Sequence, residues 1–141
     1  MKLFLFVPLL LAVSCGVKKK SSYDYGKTTK ADLIATEGEP IKEEKIPIDN
    51  GVVLHYADNV KYQIDGDVVS AGFKDPKGDQ KTVLYWKHRF KDCATRVSQL
   101  SESAGSHIAP KVEMACDEEG IKVIYAKDSP FVTRVIEYAK K

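Results

Sequence analysis

Three cysteines and three histidines are the residues of this 141-residue chain best suited to chemistry, and their spacing decides which chemistry is open to them. Cys93 and Cys116 can close a disulfide or, with His88 and His107 in the same stretch, hold a zinc ion. No paired Cys-x-x-Cys or His-x-x-x-His spacing of a compact zinc site is present. The disulfide is the expected outcome in an exported chain, and the N-terminus reads as an export signal. His55 stands apart inside a strand-like run, and neither Cys93 nor Cys116 has a histidine beside it that would mark a catalytic thiolate. Ser101, Ser103 and Ser106 lie in a polar stretch without a nucleophile elbow, and Gly51, Gly66 and Gly72 do not form a phosphate loop. Asp117-Glu118-Glu119 reads as a hairpin turn with solvated charges rather than a calcium site. The expectation is a protein that is not an enzyme, with no catalytic, cofactor or metal site.

Cys15 has a different setting. Met1-Lys2 is followed by an apolar run from Leu3 to Val13 and then by Ser14-Cys15-Gly16. That run is far shorter than the about 20 residues a membrane span needs, and it has the length of a signal-peptide core. Leu11-Ala12-Val13-Ser14-Cys15 resembles a bacterial lipobox, which implies removal of residues 1–14 and acylation of Cys15, with palmitate among the usual chains. The alternative is an ordinary secretory signal with a stray cysteine. Residues 15–25 lack apolar periodicity and read as a lipidated flexible tether, in which Lys18-Lys19-Lys20 can touch anionic headgroups or stay solvated. The formal charge of the whole chain is only +2, which argues against nucleic-acid binding, a function that needs a clustered basic face.

Two units follow, residues 26–75 and 76–141. Thr29 with Asp32 three places on is a capping pattern, and Gly38 and Pro40 stop the short helix it opens. After a polar loop through Asp49-Asn50-Gly51, three strand-like runs span Val52 to Ala57, Val60 to Ile64 and Val68 to Phe73, with Asp65-Gly66-Asp67 as a turn. In the second unit Val83, Phe90 and Val97, and likewise Trp86, Cys93 and Leu100, recur at intervals of seven. That stripe predicts one long helix with Cys93 facing inward. Alternation then places Cys116 on the inner face of the strand at Val112 to Cys116, and Ile121, Val123 and Tyr125 form the next strand. Pro130 to Ala139 fits a helical stripe and, by its β-branched content, also a strand. The strand reading repeats the element order of the first unit, so the expected fold is α+β with two helix-plus-three-stranded antiparallel meander units.

Thr29-Lys30-Ala31-Asp32-Leu33 with Gly38-Glu39-Pro40 resembles the opening of the SmpA/OmlA, or BamE-like, lipoproteins over residues 26–74. A tandem of such units resembles the β-lactamase-inhibitor-protein-like fold. The resemblance implies an outer-membrane lipoprotein facing the periplasm of a Gram-negative envelope. Its role would be protein binding or scaffolding in outer-membrane protein assembly or envelope maintenance. An inhibitor-like binder of an envelope enzyme is the alternative, and an envelope enzyme comes third. Gly16 stands where an inner-membrane retention aspartate would be, consistent with outer-membrane sorting. Tyr56, Tyr62 and Phe73 are the candidate contacts for an envelope partner, since aromatics carry interface energy.

Overall fold

The computed structural model describes residues 23–47, 50–100 and 110–141. The signal segment, Cys15, Lys18-Lys19-Lys20, His107 and the serines from 101 to 106 lie outside them.

Thr29 opens helix α1 (Lys30–Glu37) by accepting the Asp32 N–H at 3.1 Å, and Gly38, at φ 89°, closes it. Strands β1 (Lys42–Lys45), β2 (Val52–His55), β3 (Lys61–Asp65) and β4 (Val68–Lys74) follow as a meander. The second half repeats the order with α2 (Val83–Arg89), β5 (Arg96–Gln99), β6 (Lys111–Cys116), β7 (Ile121–Ala126) and β8 (Val132–Tyr138). Thr82 caps α2 on the Tyr85 N–H at 3.3 Å.

The expectation of two separate three-stranded units is overturned. All eight strands form one antiparallel sheet in the order β1-β2-β3-β4-β8-β7-β6-β5. Ala71 to Lys74 of β4 pair with Tyr138 to Val135 of β8, so the strands that would have been unit edges join the halves. Each half also holds a fourth strand. Every residue of β1 (Lys-Glu-Glu-Lys) and of β5 (Arg-Val-Ser-Gln) is exposed, because these are the edges of the sheet, where charge discourages pairing with another chain. The long second helix is overturned with them: it ends at Arg89, and Val97 lies in β5. The ambiguous last segment is a strand.

Cross-strand pairing fixes which residues share a face. Leu54, Tyr62, Gly72, Glu137, Ile121 and Cys116 form one row through successive pairs. Both helices cover this side. Leu33 of α1 packs with Leu54, Tyr62, Ile64 and Val69, whereas Val83, Trp86 and Phe90 pack over Met114, Cys116, Val123 and Val135. Full burial of such side chains contributes about 1.5–3 kcal/mol each. The Trp86 indole N–H, which burial would otherwise leave unpaired, donates to the Gln80 carbonyl at 2.7 Å.

Tyr23 and Tyr25, expected to belong to the tether, are packed into the fold. Tyr23 lies edge-on to Tyr62 with ring centroids 5.5 Å apart and donates to Glu37, and Tyr25 is only 9% exposed. The Gly26 N–H donates to the Val69 carbonyl at 2.8 Å, and the Val69 N–H donates to the Thr28 carbonyl at the same distance. Thr29 bridges Val68 in antiparallel fashion. The segment therefore sits beside the start of β4, in line with β8, which flanks the rest of that strand. Two aromatic side chains alternating across Asp24 make an amphipathic dipeptide step too short to register as periodicity.

Candidate functional site

The two helix-packed cores leave a gap over the β4–β8 joint, and the gap is a cleft of about 1010 Å³. Its floor includes Lys74, Ile121 and Glu137, one wall is the Tyr23–Lys27 segment, and Trp86 and Arg89 of α2 border the other side. The β6–β7 turn and the chain after β8 close one end.

Gly72 makes the closest approach at this joint. A Cβ there would overlap the Tyr25 hydroxyl, so only glycine lets Tyr25 lie across β4. That hydroxyl donates to Glu137 Oε2 at 2.8 Å, while the other Glu137 oxygen pairs with Lys74. One carboxylate thus ties the N-terminal segment, β4 and β8 together. Burial, then the charge and hydrogen bond of Glu137, push the Tyr25 hydroxyl far above its usual pKa.

Across the cleft Arg89 donates through Nε to Glu119 Oε2 at 2.9 Å, and its guanidinium lies 5.4 Å from the Trp86 ring centroid. Burial opposes this charge, but hydrogen bonds to Glu119 and Tyr85 outweigh it and hold the pKa above its ordinary value. Beyond the turn, Arg96 grips both Asp117 oxygens at 3.0 and 2.8 Å, and the Tyr138 hydroxyl donates to the same carboxylate at 2.6 Å. Arg96 and Tyr138 hold Asp117 well below the usual carboxylate range. Tyr138 is pushed up to about 12, by burial first and by Asp117 second. Gly120, at φ 65°, has no room for a Cβ against the Tyr138 carbonyl, which lets the turn close on β8.

These shifts take Tyr25, Tyr138 and Arg89 up and Asp117 down, each toward the form its hydrogen-bond partner favours. Among the described residues no group of three His, Cys, Asp or Glu could hold a metal ion. Cys93 and Cys116 are joined as a disulfide with Cα atoms 6.0 Å apart, which removes both sulfurs from the zinc alternative. Cys93 lies past the end of α2 rather than within it, so the bridge fastens a loop, not a helix, to β6.

The opposite face of the sheet has no helix against it among the described residues. Its central row runs Lys61, Phe73, Ile136, Lys122, Ala115 and Arg96. Phe73, half-buried, and Ile136, 7% exposed, form its apolar centre, with Lys61 on one side and, on the other, Lys122 and Arg96, which pair with Glu113 and Asp117. His55 lies at the end of this row, its Nε2 3.2 Å from Glu44.

The three aromatic candidates therefore do not make one surface. Phe73 is on the helix-free face. Tyr62 is 8% exposed in the core on the other side, and Tyr56, edge-on to it, reaches the Gly38 carbonyl at 3.2 Å. Strand alternation separates Phe73 from Tyr62, because β3 and β4 pair Tyr62 with Gly72 and Phe73 with Lys61. Tyr25, Lys74, Arg89 and Glu137 were not picked out by the sequence. Only the Tyr-Asp-Tyr step just before the Thr29 cap offered a signal for them.

No family model and no curated protein matches the chain. The solved structure of a DUF4309 family protein, YjgB, from Bacillus subtilis subsp. subtilis str. 168 is similar, with a TM-score of 0.55 and 14% identity over 87% of this chain and 86% of that one. At that identity the likeness is one of fold.

Proposed function

We propose that this chain is a lipid-anchored protein-binding module of the cell envelope, held to a membrane through Cys15 and engaging its partner with the helix-free face of the sheet. The observation that carries the reading is that face's composition: an apolar centre at Phe73 and Ile136 between Lys61 on one side and Lys122 and Arg96 on the other. Protein interfaces have this anatomy of apolar core and polar rim. Among the described residues no helix is long and apolar enough to cross a membrane. In this reading attachment is through acyl chains on Cys15. Outer-membrane residence is part of the proposal. It is supported by Gly16 and by the resemblance of residues 26–74 to SmpA/OmlA lipoproteins.

The test places a photoreactive residue at Lys61 in the membrane-bound protein, with and without Phe73→Ala. A discrete cross-linked partner that disappears with Phe73→Ala, in a variant whose melting curve is preserved, is the expected result. An unchanged cross-link pattern in the folded variant rejects this surface. Density separation of the two membranes tests the address.

A further inference from the structure

The helix-covered side holds a second, independent feature: the cleft over the β4–β8 joint. Its cations are more numerous than its acids. Lys27, Lys74, Arg89 and Lys140 face Asp24, Glu119 and Glu137. Lys140 has no ion-pair partner among the described residues, whereas the other three cations each have one. The balance is one positive charge, which suits a ligand bearing one negative charge and penalises a polyanion.

Arg89 is the best-placed recognition group. Its guanidinium carbon lies 5.4 Å from the Trp86 ring centroid, and Glu119 occupies Nε. Arginine has five donors in a rigid fork, so most of them remain for planar, two-point contact with a carboxylate or phosphate group. Lys74 similarly spends one of its three N–H groups on Glu137. Two of the carboxylates are less than half-exposed, with side chains 35% exposed at Glu119 and 20% at Glu137. They are positioned to accept from hydroxyl or ammonium groups on the body of the ligand.

We propose that this cleft binds a small organic ligand with one anionic oxygen group, a carboxylate or a phosphodiester, held on Arg89, while Lys74, Glu119 and Glu137 meet polar groups elsewhere on the ligand. A volume of about 1010 Å³ suits such a molecule better than a lone ion. Tyr23 and Asp24 line the rim, and the chain from Cys15 to Tyr23 reaches at most roughly 28 Å. A membrane headgroup and a soluble molecule are therefore both sources of this chemistry. The site lies on the face opposite Phe73 and does not depend on the partner surface proposed above.

Calorimetric titration at low salt with sn-glycero-3-phosphoethanolamine and with the dipeptide alanyl-alanine tests it. Saturable one-to-one binding of at least one probe is expected, weakened at least tenfold by Arg89→Gln and by Lys74→Gln, and unchanged by Arg134→Gln. Because Arg89 and Lys74 lie on different elements, one folded variant suffices. Co-sedimentation of the protein without its lipid on phosphatidylethanolamine vesicles, but not phosphatidylcholine vesicles, assigns the headgroup source. Binding of soluble probes alone assigns the free ligand. Failure of both probes to saturate, or equal affinity in a folded Arg89→Gln or Lys74→Gln variant, overturns the proposal, whatever the outcome at Phe73.

Discussion

Gly72 and Tyr25 are one packing decision written at two positions, because the ring crosses β4 only where there is no Cβ. Gly72→Ala should cost about 1–3 kcal/mol, the usual range for overpacking. Tyr25→Phe removes the atom that would clash. Gly72→Ala with Tyr25→Phe should therefore be less destabilised than the two single changes summed, a coupling readable from urea denaturation of the four proteins. Strict additivity would show that the contact is not what requires glycine. At Asp117 the sign of the pH dependence follows from its lowered pKa. Its stabilisation is present above the ordinary value of 3.8 and is lost as pH falls toward the folded value. Asp117→Asn should flatten the acid limb of the thermal midpoint below about pH 4. Tyr138 acts in the other direction: stabilisation present below its ordinary value of 10 is lost as pH rises through about 12. Tyr138→Phe should accordingly soften the alkaline limb in the same melting series. None of this was legible beforehand, since Asp117 read as one of three solvated turn charges and its partners Arg96 and Tyr138 come from strands whose pairing only the fold defines.

The elements whose apolar pattern alternates were legible, and those at the borders of the sheet were not. Val60, Tyr62 and Ile64 announced β3 because one side faces a core. β1 has four exposed charged residues and no such pattern. α2 misled by continuation: Val83, Trp86 and Phe90 do face the core, but Val97 keeps their spacing from inside β5, where it is 63% exposed. Pattern read without a stop signal runs past Arg89. The Cys93–Cys116 bridge spans a sequence separation of 23, for which loop entropy gives about 3 kcal/mol of stabilisation. Reduction, or Cys93→Ser with Cys116→Ser, should lower stability by roughly that amount. Mass spectrometry of the non-reduced protein should recover one peptide pair joined through these sulfurs. The Tyr23–Thr28 segment belongs to this scale too. A chain beginning at Gly26 loses the Tyr25 ring, its bond to Glu137 and the Tyr23–Tyr62 contact. It should be less stable by about 3 kcal/mol than one beginning at Tyr23, from side-chain burial and one charge-assisted hydrogen bond. Equal midpoints would return the segment to the tether.

At the scale of the whole molecule, the joint between the halves is also where the N-terminal segment Tyr23–Thr28 packs against the sheet. The N-terminal segment continues the line of β8 beside β4, and Gly26 comes close to Ala139 near the C-terminus. A load on a lipid at Cys15 would enter the fold at Tyr23–Thr28 and meet the antiparallel bonds to Val69 before it met either core. The sequence reads as a repeat of one helix and three strands, whereas each half holds one α-helix and four strands. Fusion into one sheet was not legible, because Ala71–Lys74 and Val135–Tyr138 look the same in sequence whether they end a unit or pair with each other to join two. The anchor itself gives the last prediction. If Cys15 is the acylated N-terminus, Cys15→Ala should move the protein from the membrane fraction to soluble or unprocessed forms. Its melting curve should stay unchanged, since Tyr23 and all later contacts are retained. Intact mass of the wild-type protein should show cleavage before Cys15 and the added acyl chains. An unmodified Cys15 or a different cleavage point would reject the lipid anchor, while leaving the Tyr25–Glu137–Lys74 linkage of the two halves intact.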